Sequence, residues 1–162
     1  MMDEGLDTPA IRALAGSEFD VRVVRTERAG SAAESAALQG VEIGALLRTI
    51  VVRRGDEDYV FVLVPADSQF DWPKLRAHLG VRRLTLPDAD EARRATGYER
   101  YTITPFGSTS AWPVIVDASA LSFDRVSVGG GDFGVNLHLA PSDLVSHLSA
   151  DVVDLSATPP TS

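Results

Sequence analysis

Cysteine is absent from the 162 residues, which excludes disulfides, thiolate metal ligands and a cysteine nucleophile. Lysine occurs once, as Lys74, so almost all positive charge is guanidinium. Three scattered histidines, His78, His138 and His147, form no HExxH or EF-hand spacing, and a zinc or calcium site lacks its ligand set. No apolar run approaches the roughly 20 residues that span a bilayer, and the Met1-Met2-Asp3-Glu4 start lacks a basic, apolar leader. The expectation is a cytoplasmic protein with no membrane partner. A formal net charge of -8 repels duplex DNA, because backbone affinity rests on Lys and Arg displacing counterions. Small basic clusters remain at Arg53-Arg54, Arg82-Arg83 and Arg93-Arg94 with Arg100; they read first as solvated faces and, as the alternative, as a small patch that grips one nucleic-acid end.

What is present is a globular composition, 44% apolar and 23% charged, at a length suited to one domain over residues 1–155 with a loose Ser/Thr/Pro tail at 156–162. Strand and helix signals alternate. Thr8-Pro9 opens a short helix, and an alternating strand follows at 20–25. Ser31 and Glu34 form a capping box before an alanine-rich helix that Gly40 stops. The runs at 46–53 and 58–64 read as a core β-hairpin around a polar turn. Asp71-Trp72-Pro73 caps a helix through Leu79, with Leu75 and Leu79 facing inward, and a further helix runs from about Asp88 to Ala95 before Gly97.

Between 96 and 119 two glycines and two prolines stiffen a loop that leads into an apolar strand at 113–117. A strand near 124–128, the Gly129-Gly130-Gly131 turn and the run FGVNLHL follow. In that run Phe133, Val135, Leu137 and Leu139 face one side, while Gly134, Asn136 and His138 face the other. Residues 129–134 satisfy GxGxxG, but a strand follows where a dinucleotide site needs a helix, so a hairpin turn is expected. Pro141-Ser142-Asp143 starts the last helix, and 151–155 reads as a closing strand. Asp143 and His147, four apart on that helix, read as an exposed polar pair.

The order LLRTIVV, VLVPAD, HLGVRRL, TGYERYTITPFG, VIVDAS and VSVGGGDFGVNLHLAPSDL resembles the YbaK-type family of aminoacyl-tRNA deacylases, related to the editing insertion of bacterial prolyl-tRNA synthetases. The resemblance runs from Thr8 to about Leu155. It implies an α/β (α+β) domain with a curved, mostly antiparallel mixed sheet flanked by helices. It further implies a cleft for the acceptor end of an aminoacyl-tRNA, no cofactor, and an aminoacyl-tRNA synthetase as a possible helper. The activity implied is hydrolysis of the ester that joins a wrong amino acid to the terminal ribose.

Carried onto this sequence, the resemblance implies catalytic roles for Arg48 and for Thr102, Ile103 and Thr104, whose backbone would hold the carbonyl oxygen. It implies substrate contacts from Thr49, Gly97, Tyr98, Tyr101, Pro105, Phe106, Gly107, Asp117, Gly130, Phe133 and His138.

Two positions depart from the family pattern. Arg48 stands where the family carries lysine, which keeps the charge but not the exchangeable proton. Tyr101-Thr102 replaces a glycine pair, putting side chains where a left-handed backbone or a substrate needs room. Beside the deacylase reading, these departures leave open a non-catalytic module that binds a tRNA end, a nucleotide or a protein.

Overall fold

The computed structural model describes residues 7–68 and 70–156. In chain order its elements are α1 (Pro9–Leu14), β1 (Arg22–Arg25), α2 (Ala32–Gln39), β2 (Leu47–Gly55) and β3 (Asp58–Pro65). Then come α3 (Trp72–Leu79), α4 (Ala89–Thr96), β4 (Val114–Asp117), β5 (Val126–Gly129), β6 (Val135–Leu139), α5 (Pro141–Leu148) and β7 (Asp151–Val153). Short 3-10 turns lie at Ile43–Ala45 and Ala118–Ser122.

Local chemistry decides where the helices begin. The side chains of Thr8, Ser31, Asp71 and Asp88 each accept a hydrogen bond from the amide three residues on, relieving one of the unpaired donors at a helix start. The capping box at α2 is modified: Glu34 Oε2 accepts from the Gly30 amide at 3.2 Å rather than from Ser31. At their other ends α2, α3 and α4 stop at Gly40, Gly80 and Gly97, all in the left-handed conformation.

The strands form two sheets. One is antiparallel in the order β1-β6-β5; the other has the order β2-β3-β4-β7, with β2 antiparallel to β3 and the two later pairs parallel. Tyr59, Phe61 and Leu63 of β3 enter a core shared with Val126, Val128, Leu137 and Leu139 of the other sheet, and with Leu144 of α5. Val60, Val62 and Val64 point the opposite way, onto Leu75 of α3, with Leu79 packed at the margin. This burial on both faces explains why β3 reads as a continuous apolar run. Each of Phe61, Val62 and Leu63, at most 1% exposed, contributes about 1.5–3 kcal/mol by leaving water.

The expected mixed, mostly antiparallel architecture is thus present, divided into two sheets that meet at one parallel bridge, Leu46 to Ser127. Several boundaries differ from the sequence expectation, the closing strand among them, which ends at Val153. The first strand starts at Arg22, the fifth covers 126–129, and Phe133 lies outside β6 in the turn, 42% exposed. The expected loose tail lies outside the described residues except for Ser156, which bridges to Phe70. Among the described residues no helix is long and apolar enough to cross a membrane.

Candidate functional site

The site lies where the two sheets part. Beyond the Leu46–Ser127 bridge β2 and β5 share no further rung among the described residues, and the opening is a cavity of about 890 Å³. Arg48 and Thr49 of β2 line it, together with Pro87, Asp88 and Ala89 at the start of α4, and Arg100, Tyr101 and Ile103 of the stiff loop. A second cavity of about 570 Å³ shares Ala32, Ser35, Tyr101, Gly129 and Asn136 with the first, so the two are continuous. Arg28, Thr102 and Phe133 belong to this second part.

Because β2 is an edge strand, Arg48 and Thr49 both reach the cleft although their side chains leave opposite faces. Arg48 is exposed and spends one N–H on the Ser68 carbonyl at 3.0 Å, and its other guanidinium donors meet no acceptor among the described residues. The Thr49 hydroxyl is buried and has no partner among the described residues; the same holds for Thr104, which is fully buried.

The loop after α4 is built as a rigid bracket. Tyr98 is buried, and its hydroxyl donates to the Phe106 carbonyl at 2.6 Å; burial pushes that phenol up to about 12. At the far end Gly107 has φ 71, and a Cβ there would come within 2.3 Å of the Pro9 carbonyl oxygen. Only glycine lets the loop dock this closely on α1.

Within the bracket the Thr102 amide and hydroxyl both donate to the Glu99 carbonyl, at 3.0 and 2.7 Å. Tyr101 is forced to φ 72 and stands 79% exposed, with the Arg100 guanidinium 5.0 Å from its ring centre. The glycine-like conformation expected at this position is therefore adopted by a tyrosine. The amides of Ile103 and Thr104 donate to no acceptor among the described residues, and Pro105 has no N–H.

Of the residues expected at the site, Arg48, Thr49, Tyr101, Thr102, Ile103 and Phe133 converge on the cleft. Others do not. Gly97 caps α4, Tyr98 braces the loop, and Pro105, Phe106 and Gly107 border a separate cavity near His147. Asp117 is buried, accepting from the Ser119 hydroxyl and amide and, at 2.8 Å, from the Leu155 amide, so it holds the C-terminal segment instead of a substrate. Gly130 makes the β5–β6 hairpin, its amide bonded to the Val135 carbonyl at 2.8 Å and its own carbonyl accepting from the Thr8 hydroxyl at 2.6 Å, and the GxGxxG segment leads into a strand.

His138 is buried beneath α2, where its Nε2 lies 2.8 Å from Gln39 Oε1. Since Gln39 Oε1 can only accept, Nε2 carries the proton in the neutral ring. Burial, with Arg22 and Arg125 nearby, lowers its pKa. Sequence reasoning passed over Asn136, which borders both cavities. The alternation of FGVNLHL places Asn136 and His138 on one face, and only the position of α2 separates a cleft residue from a covered one.

Three arginines (Arg28, Arg48 and Arg100) and three carboxylates (Glu27, Asp88 and Asp132) line the cleft. Its wall is balanced in a chain whose net charge is -8, so it repels a polyanion less than the chain as a whole does.

A two-sheet α/β fold with a seam cleft, a guanidinium on one wall and unpaired loop amides near the other defines a class suited to binding an anionic ester. The family model described as Aminoacyl-tRNA editing domain matches residues 26–146, and the chain belongs to that family. It is 24% identical over 117 residues to EbsC of Enterococcus faecalis, assigned as a Cys-tRNA(Pro)/Cys-tRNA(Cys) deacylase, covering 72% of this chain and 71% of the relative. It is 24% identical over 143 residues to the multifunctional Ser/Thr-tRNA deacylase ProXp-y of Escherichia coli, covering 86% of each. A solved structure described as a trans-editing enzyme for prolyl tRNA synthetase superposes with a TM-score of 0.82 at 23% identity, over 95% of this chain and 100% of that one.

Proposed function

We infer that the protein is a free-standing editing deacylase that hydrolyses the ester of a mischarged aminoacyl-tRNA in trans. The observation that carries this reading is the convergence of Arg48 with Tyr101 and Ile103 in one cleft, from strand and loop segments about fifty residues apart in a chain of 162. Membership of an editing family supports it.

In this reading Arg48 receives an anionic oxygen of the terminal nucleotide in its free N–H fork, fixing the acceptor end. Water attacks the ester carbonyl. The charge that develops on the carbonyl oxygen is met by the amides of Ile103 and Thr104, which a rigid loop holds in place without reorganisation. The Thr102 amide, committed to Glu99, takes no part, so the donor set is narrower than a continuous 102–104 stretch. Arg48 orients the substrate and neutralises its charge, and transfers no proton. The tetrahedral adduct collapses with loss of the ribose hydroxyl, releasing free amino acid and tRNA.

The named substrates of the relatives carry cysteine, serine or threonine, which supports a small amino acid. The near-neutral cleft wall supports weak, salt-sensitive tRNA affinity, with a synthetase as the partner that delivers substrate, and the setting proposed is the cytoplasm. The test is single-turnover hydrolysis of tRNA charged with alanine, cysteine, serine or threonine. Release from at least one of them, reduced at least about tenfold in Arg48→Ala, is expected. Hydrolysis of none of them, or an Arg48→Ala variant as fast as the parent, overturns the reading.

A further inference from the structure

A series of polar side chains runs from beneath α2 to the wall of the cleft. Ser127 of β5 and His138 of β6 are cross-strand partners, 0% and 7% exposed, and both reach Gln39 of α2. The Ser127 hydroxyl donates to Gln39 Oε1, and His138 Nε2 donates to the same oxygen at 2.8 Å. With Oε1 held by two donors, the Gln39 amide nitrogen faces the other way and donates to the Ser35 hydroxyl at 2.9 Å. Ser35, one turn earlier on α2, borders both parts of the cleft.

The direction of that last bond decides what Ser35 can offer. A serine hydroxyl has one proton, and accepting from Gln39 leaves that proton for another partner. Serine within a helix often gives it to the carbonyl four residues back, but the Ser31 carbonyl receives the Ser35 amide, at 3.0 Å, and not its hydroxyl. The Ser35 hydroxyl donates to no acceptor among the described residues. Each bond in such a series polarises the next, so this O–H is a stronger donor than an isolated one.

Arg48 and the Ile103 and Thr104 amides are taken up by an anionic oxygen and by the ester carbonyl. The donor on α2 is left for the part of the substrate that differs between charged tRNAs, the amino-acid side chain. A hydroxyl oxygen accepts well, a thiol sulfur weakly and a methyl group not at all.

We propose that Ser35 is a specificity-determining residue that donates to the side-chain hydroxyl of a seryl or threonyl ester, and that Gln39 is the positioning residue that aims it. The assignment rests on the editing reading for the ester itself. It separates serine from cysteine and from a methyl-bearing isostere by hydrogen bonding, not by size.

The experiment is single-turnover hydrolysis of one tRNA charged with serine, with cysteine or with 2-aminobutyrate, which puts a methyl where serine has its hydroxyl. The parent is expected to release serine at least about tenfold faster than 2-aminobutyrate, with cysteine between them. Ser35→Ala and Gln39→Glu are each expected to bring that ratio to within about threefold. The carboxylate of Gln39→Glu still accepts from Ser127 and His138, which keeps α2 anchored, but it has no N–H and draws the Ser35 proton to itself. Loss of the ratio in that variant reports the direction of the hydrogen bond, which an anchoring role alone leaves unchanged. Ser35→Thr keeps a hydroxyl and is expected to keep the preference. A parent that releases serine and 2-aminobutyrate within about twofold of each other overturns the proposal, as does a folded Ser35→Ala protein with the parent's ratio. The substrate pair decides the matter even where a variant fails to fold. Hydrolysis of all three esters without preference removes this assignment alone; hydrolysis of none removes the editing reading with it.

Discussion

Tyr98 reaches across its loop to donate a buried 2.6 Å hydrogen bond to the carbonyl of Phe106, closing residues 98–106 into a braced ring. Tyr98→Phe leaves that buried carbonyl without this donor, and a loss of about 1–3 kcal/mol is expected. Urea unfolding should show a lower midpoint at unchanged slope.

Tyr101 holds φ 72, a conformation that costs a residue with a Cβ about 1 kcal/mol. Because the ring is exposed and makes no core contact, Tyr101→Gly should stabilise the protein by roughly 0.5–1 kcal/mol, after allowance for the freer unfolded chain. It should at the same time weaken acceptor-end binding. A gain measured by denaturant titration with a loss measured by binding would separate these two effects.

Gly107→Ala places a Cβ at 2.3 Å from the Pro9 carbonyl oxygen in a left-handed backbone. Neither α1 nor the loop can give way cheaply, since both contacting groups are backbone. The expected loss is about 3 kcal/mol or more, read as a fall in thermal midpoint and a slower deacylation rate.

His138 is buried with its pKa lowered below the ordinary 6.5, first by desolvation and then by Arg22 and Arg125. Between the folded and unfolded values the unfolded chain binds more protons, so stability rises with pH in that window. Stability should be level above about pH 6.5, fall as the pH drops below it, and level off again beneath the folded pKa as far as this group is concerned. His138→Gln should flatten the drop in a series of denaturation curves between those limits.

Arg48 is exposed and its one recorded bond goes to the Ser68 carbonyl, so Arg48→Lys should change stability by less than about 0.5 kcal/mol. The ammonium keeps the charge and loses the bidentate fork. Deacylation by Arg48→Lys should fall between parent and Arg48→Ala, with the larger change in substrate affinity. A lysine variant as slow as the alanine variant would show that fork geometry, not charge, is what the site uses.

The helices and the central hairpin were legible in the chain because their signals are local. Ser31, Asp71 and Asp88 satisfy amides three residues away, and Gly40, Gly80 and Gly97 sit where the chain must turn left-handed, so a few consecutive residues suffice to define each end. The loop at 97–107 was likewise legible as stiff, and Tyr101 as standing where glycine-like geometry is needed. What the loop is braced against was not, because Pro9 lies almost a hundred residues before Gly107 and no local pattern links them.

The same limit governs the site. Period-two alternation placed Asn136 and His138 on one face of a strand, yet α2 covers His138 with Gln39 and leaves Asn136 in the cleft. Alternation likewise grouped Phe133 with Val135, Leu137 and Leu139, whereas β6 begins only at Val135 and Phe133 lines the smaller cavity. Residue types and caps, acting over one turn or one pleat, determined the elements and the family likeness. The meeting of β2 and β5 at a single rung, and the cleft that opens beyond it, arise from long-range packing of two twisted sheets around one core, which only the tertiary structure decides.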